Sequence, residues 1–538
     1  MKIRGLIFHS PFLLVTFWSV LLSAGCSLPR PVQILSSPTI SVSTQTPLPP
    51  ILTVTLSLKP TEAPVPTESP WEGEQTPVLL PEDDFLIQEL PPLNHYDLQL
   101  KLDLKNHAFH GSLILDYFNT ETVSLQELYF RLLPNGGASY GDGSLQVSHV
   151  IIDGQPAETE LSLSDSVLKV GLSEELKPGE HVTVKMDFTG VVPVDFGGDE
   201  SAYGIYNYTE DVLTLSGWYP VLAVYDENGW NLDPVSPVGD SLYSDVALYR
   251  VEITVERDAL LATTGVNLSY NDEGSDRHWL FVSGPARDFF IIASPLFQVA
   301  SRNEAGSQVN SYYLPGWADA GNQALEVAAQ SIQIFNQDFG QYPYNEFDVI
   351  QAPLRNAGGV EFPGIVLIEA DRYKDPQGPV FATTVAHETA HQWWYNVVGN
   401  DIFSEPWLDE ALATYSSSLY FQQVFGPEGY QGTVSYWQSG YDQLVEKGRD
   451  DLVTHDLAYF EKDGNARLYG PVVYTKGALF FYTLRKGIGD QAFFQALQSY
   501  YRAYQFRIAR GSDLQAEFDR AAGKKLDALY KEWLYSKR

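Results

Sequence analysis

Hydrophobic and polar residues divide the chain into stretches of different period. From Tyr96 to Leu104 they alternate residue by residue, the pattern of a half-buried strand. Gly111–Tyr117, His181–Phe188, Leu248–Val255 and Trp279–Val282 continue the pattern, and Asp153-Gly154 supplies a turn signal after Val150-Ile-Ile. These short runs, separated by turn residues, predict an antiparallel sheet or sandwich over 89–303. From Ala318 to Phe339 the apolar spacing becomes helical and stops at Gly340. Phe347–Gln351 and Ile365–Glu369 read as strands. Helices are expected over 376–398 and 405–424. More follow at Tyr474–Arg485, Asp490–Tyr504, Ser512–Ala522 and Leu526–Tyr535, with Ser512-Asp-Leu-Gln515 as a capping box. The chain thus reads as a multidomain α+β protein. A β domain at 89–303 precedes an α/β domain at 304–440 and a short helical region at 441–538.

The first 88 residues show neither period. Lys2 and Arg4 precede a mostly apolar run, Leu6–Leu22, the pattern of an export signal. The run ends Leu22-Ser-Ala-Gly-Cys26, which resembles a bacterial lipoprotein box, with Ser23 where that pattern prefers leucine. Cys26 is the only cysteine, so no disulfide can form within the chain, and lipidation is its expected use. The resemblance implies a bacterial protein anchored to a membrane and facing the extracytoplasmic side. Residues 27–88 hold 12 of the 33 prolines among Ser, Thr and Gln, the composition of an extended, unpacked tether. A net charge of −34 leaves nothing basic to neutralise phosphates, which excludes nucleic acid as a partner.

The chemistry concentrates in His387-Glu-Thr-Ala-His391. Histidines four apart share one helix face, so both imidazoles reach a single metal ion. Glu388 lies beside that face as a candidate general base. After 18 intervening residues comes Glu410, inside Trp407-Leu-Asp-Glu-Ala-Leu-Ala-Thr-Tyr415. Gly399 is the expected stop of the first helix, and Ser404 with Pro406 the start of the next. That geometry completes a His2Glu set for one Zn2+ per chain, with a fourth position left for water. Gly358-Gly359 allows close backbone approach at a strand edge, as docking an extended peptide requires. The remaining histidines show no ligand spacing.

His387-Glu-Thr-Ala-His-Gln-Trp-Trp, followed by Trp407-Leu-Asp-Glu-Ala, resembles the zinc core of the aminopeptidase N family of gluzincins. Asn356–Gly364 resembles that family's GxMEN strand, and Tyr469–Leu484 its YxKG segment. The resemblance spans roughly residues 92–538. It implies a saddle-shaped N-terminal β domain, a thermolysin-like catalytic domain and removal of N-terminal residues from peptides. Glu361 would hold the substrate amine. Tyr474 would donate to the oxyanion, with Tyr469 as second choice. Val360 and Phe362 stand where the family has methionine and asparagine. A second amine-holding residue is also implied. No motif in the β block matches it, Ser216-Gly-Trp-Tyr-Pro220 with Trp230 being the nearest distinctive stretch. Two other functions fit the same residues: an endopeptidase on the same zinc site, or a surface lipoprotein that binds peptides without cleaving them. The second has no use for Glu388.

Overall fold

The computed structural model describes residues 77–538 apart from 199, 241 and 463. The export signal, Cys26 and the tether up to residue 76 lie outside the described residues. The rest of the tether stretch packs. Val78, Leu79 and Leu80 are buried, Leu79 bridges to Tyr344, and Leu80 N–H donates to the Pro343 carbonyl. The packed body therefore begins before position 89, because three consecutive apolar residues find a groove.

An eight-stranded sheet dominates the β domain. Asn94–Asp103 lies at its centre, with Ala108–Phe118 antiparallel on one side. Tyr96, Leu98, Leu100 and Leu102 face the core, as the alternation predicts. On the other side Ala247–Glu256 runs parallel to this strand, so the expected purely antiparallel sheet is a mixed one. Distant segments make this pair, and strand polarity across such a gap is not encoded locally. Two four-stranded sheets and a two-stranded one complete the domain among the described residues.

The sheet of the α/β domain has five strands: β1 Gln298–Glu304, β2 Ser307–Tyr313, β3 Glu346–Ala352, β4 Gly359–Phe362 and β5 Ile365–Glu369, in the order β1-β2-β3-β5-β4. The β1–β2 hairpin straddles the expected boundary at residue 304. Helix α1 (Ala318–Asp338) turns Ala324, Ala328, Ile332 and Phe335 into the core. β4 pairs only with β5 and so forms an edge. At its end Phe362 stacks on Phe290 of the β domain at 3.8 Å, joining the two cores.

Helix α2 (Pro379–Ala390) starts at a proline, whose missing N–H is no loss in a first turn. It ends eight residues short of the expected 398. Gln392 and Asn396 are fully buried and need partners. Gln392 donates to the Phe362 carbonyl and accepts from Gly364 N–H and from the Asn396 amide. Those bonds pull the chain out of the helix and onto β4. Gly399 stops no helix: a Cβ there would meet the Arg287 guanidinium at 2.2 Å.

Helix α3 (Trp407–Glu446) begins after Pro406, as expected, but runs past 424 with a break at Gly426 (φ 72°) before Pro427. α4 (Gly477–Ile488), α5 (Asp490–Tyr504), α6 (Gly511–Ala522) and α7 (Asp527–Trp533) follow. The capping interaction of α6 lies two residues earlier than expected: Asp513 accepts from Arg510 N–H. No helix among the described residues is long and apolar enough to cross a membrane.

Candidate active site

α2 and the first turn of α3 bring three side chains to one point. His387 Nε2 and His391 Nε2 are 3.2 Å apart, and Glu410 Oε2 lies 3.3 Å from the first and 3.5 Å from the second. Tetrahedral zinc with bonds of about 2.0–2.2 Å spaces its donors by about 3.3 Å, so the triangle has the right size. Glu410 Oε2 is buried without a hydrogen bond, an orphan that a cation would satisfy. The donor chemistry fits as well. His391 Nδ1 lies 3.0 Å from the Trp394 carbonyl, which can only accept, so the proton sits on Nδ1 and leaves Nε2 free. The early end of α2 thus has a use: it turns Trp394 back under His391. His387 Nδ1 is 3.5 Å from Thr414 Oγ1. Glu361, Glu388 and His391 form a second acidic group that could hold a metal. Its histidine nitrogen nearest Glu361 is Nδ1, already committed to Trp394, so the first trio is the better metal site.

Electrostatics agree with a cation at the trio. Burial disfavours charge on both partners, yet the two imidazoles hold Glu410 down to about 2. Burial likewise opposes a charged His391, but Glu410 beside it holds the imidazole up to about 9. Burial pushes Glu388 up to about 8, with Glu410 and Asp240 adding to the rise against His391.

Glu388 is covered by β4. A Cβ on Gly359 would fall 2.4 Å from Glu388 Oε1, so this glycine is a condition for the strand to lie over the base. Gly358 is less crowded: a Cβ there would lie 3.0 Å from the Arg372 guanidinium. Glu361 points into the same cleft, buried, with no hydrogen bond at Oε1.

Its partner is one that sequence reading missed. Asp240, from the loop before Ala247–Glu256, hydrogen-bonds the Glu361 carboxyl. Two carboxyls in contact cannot both ionise unless a cation joins them. Burial raises both, and their mutual charge raises Glu361 further. Pro237-Val-Gly-Asp240 carries no spacing or period that singles out its acid. The Ser216–Pro220 stretch serves the β-domain core instead, with Trp218 Nε1 donating to the Phe289 carbonyl.

Tyr474 lies on a π-helical turn, Gly470–Lys476, a rare form that recurs at functional sites. Its hydroxyl donates to Glu410 Oε1, and its ring stacks on His387. Burial and the Glu410 charge push the phenol well above its ordinary value, so it stays a donor. Tyr469 packs edge-on against Tyr474 and places its hydroxyl against Gly239. His387, Glu388, Glu410, Glu361, Asp240 and Tyr474 line one cleft of about 590 Å³, with Tyr203, Asn356 and Ser417 at its walls, while His391 is fully buried. Among the described residues, no lysine or arginine lines it.

Residues 323–533 match the Peptidase family M1 domain. Rice aminopeptidase M1-B is 25% identical over 454 residues, covering 81% of this chain and 49% of that protein. Aminopeptidase N of Streptomyces lividans is 27% identical over 294 residues, 50% of this chain and 33% of that one. The chain thus spans about half the length of the plant relative it matches. A mutant of the M1 zinc metallopeptidase of Deinococcus radiodurans superposes with a TM-score of 0.61 at 19% identity, covering 83% of this chain and 94% of that one. A mutant of the same enzyme bound to Tyr-Ser-Ala gives 0.62 at 20% identity over the same shares.

Proposed function

We propose that this protein is a zinc aminopeptidase that removes the first residue from peptides. The observation that carries the reading is the Asp240–Glu361 carboxyl pair in the same cleft as the His387, His391 and Glu410 trio. A peptide ammonium would replace the proton the pair shares and draw charge from both carboxylates. That fixes the peptide by its free end and leaves the first peptide bond at the trio. The edge strand β4 offers unpaired backbone for the rest of the chain.

A zinc ion on the trio supplies Lewis acidity for the scissile carbonyl and the attacking water. The chain supplies the rest. Glu388, dry and raised towards neutral pH, takes the water's proton and later gives it to the leaving amine. Tyr474 donates its hydroxyl proton in a hydrogen bond to the developing oxyanion. Gly359 lets β4 lie over the base and shield it from bulk solvent.

The test compares one peptide with a free α-amine and its N-acetylated form. Release of the first residue from the free peptide alone is expected. Equal cleavage of both would keep the hydrolytic site but replace the aminopeptidase with an endopeptidase. Glu388→Gln is expected to lose hydrolysis while one zinc per chain remains, measured by metal analysis. No cleavage of either peptide, with zinc bound, would favour the peptide-binding lipoprotein.

The reading extends to location. The apolar run before Leu22-Ser-Ala-Gly-Cys26 and the proline-rich stretch after it support a lipid-anchored protein on the extracytoplasmic side. Mass spectrometry of the mature N-terminal peptide tests this: a lipid on Cys26 is expected, and an unmodified cysteine would end the anchor proposal.

A further inference from the structure

Lys476 follows Tyr474 by two residues in the same motif, and the chemistry above gives it no task. It is fully buried. Its ammonium donates to Asp450 Oδ1 at 2.8 Å, the Asp451 carbonyl at 2.6 Å and the Ser536 carbonyl at 2.8 Å. Those are all the protons it has. Asp450 Oδ2 in turn accepts from Tyr441 Oη at 3.0 Å and Arg538 N–H at 2.6 Å. Tyr441 lies on the part of α3 beyond the break at Gly426, and Glu410 on the part before it. One carboxylate therefore ties the last residue of the π-turn to the second part of α3 and to Arg538.

Stability does not require this. A buried ion pair is commonly no better than well-packed apolar residues of the same size, and its best-attested use is to fix register. Register matters here. A π-turn holds one residue more than the α-turn it replaces. Relaxing it would swing Tyr474 round the helix axis by about 100°. The Tyr474 hydroxyl would then leave Glu410 and the cleft.

We propose that Lys476, through its ion pair with Asp450, is a positioning residue that holds the π-turn in register and keeps Tyr474 aimed at the site. The proposal rests on the oxyanion role given to Tyr474 above. Removing both partners at once, Lys476→Met with Asp450→Leu, avoids stranding a buried charge. In the full zinc-loaded chain these changes are expected to lower kcat about tenfold or more, with KM within about twofold and one zinc per chain. In a Tyr474→Phe background the same changes are expected to lower kcat less than about twofold, because the group they position is gone. An unchanged kcat in the parent background overturns the proposal. So does an equal loss in both backgrounds, since the pair would then act on something other than Tyr474. If Tyr474→Phe alone keeps the parent kcat, the reading of Tyr474 falls and the proposal with it. Should thermal unfolding show that the double variant does not fold, Asp450→Asn, which keeps the shape and removes the ion pair, is put through the same cycle with the same criteria.

Discussion

Gly359 and Asp288 show how much one side chain decides here. An alanine at 359 puts its Cβ 2.4 Å from Glu388 Oε1, so either the base or the strand must move. Misplacing a reacting group by about 1 Å costs on the order of a hundredfold, so Gly359→Ala is expected to lower kcat by about tenfold or more, with zinc retained. Steady-state rates and metal analysis check this. Asp288 is a different case. It is fully buried, and neither carboxylate oxygen has a partner. Burial, with Asp240 nearby, pushes its carboxyl up to about 8. The folded protein therefore holds this proton more tightly than the unfolded chain. Asp288 costs least below the unfolded carboxylate range near about 4, and stability is lost as pH rises from there through about 8. Asp288→Asn removes the titration. Its melting temperature is expected to match the parent near pH 4 and to exceed it by a growing margin up to pH 9. An equal offset at both ends would show that Asp288 keeps an ordinary carboxyl.

Among the elements, the π-turn Gly470–Lys476 and the truncated α2 matter most to the site. The turn sets the height of Tyr474 over Glu410, and the end of α2 sets the tautomer of His391. Tyr474→Phe removes one oxyanion donor and keeps the ring stacked on His387. A fall in kcat of about a hundredfold, with little change in KM, is expected from transition-state stabilisation. A rise in KM at unchanged kcat would instead make Tyr474 a substrate-binding residue. Sequence period located both helices that build the trio, because i and i+4 spacing is a local property. It misjudged the end of α2 by eight residues. Gln392 leaves the helix for the Phe362 carbonyl on β4, distant in sequence, whereas α3 breaks at Gly426, two residues past the stop expected at 424.

At the scale of the molecule one cation ties the domains together. Arg287, nearly fully buried at 3% exposure, donates to the carbonyls of Tyr395, Asn396, Ser244 and Arg507. These come from the β domain, the segment after α2 and the helical region. Arg287→Met would leave those carbonyls unpaired in a dry interior, each costing about 1–3 kcal/mol. A loss of about 3 kcal/mol or more in denaturant unfolding is expected, together with weaker zinc retention, since Tyr395 and Asn396 follow His391 closely. Unfolding midpoints and metal analysis after dialysis report the two effects separately.

The amino-acid order by itself determined the metal trio, the base beside it, the strand period of the β domain and the edge glycines. Each depends on spacings of a few residues, or on two helices adjacent along the chain. Only the tertiary structure decided the rest. Asp240 meets Glu361 because a loop of the β domain folds over the catalytic sheet. Lys476 finds Asp450 and Ser536 across three segments. The central strand Asn94–Asp103 gains a parallel neighbour from far along the sequence. These contacts join residues that no local period relates. Their energies come from burial and charge pairing, which exist only once the chain has closed on itself.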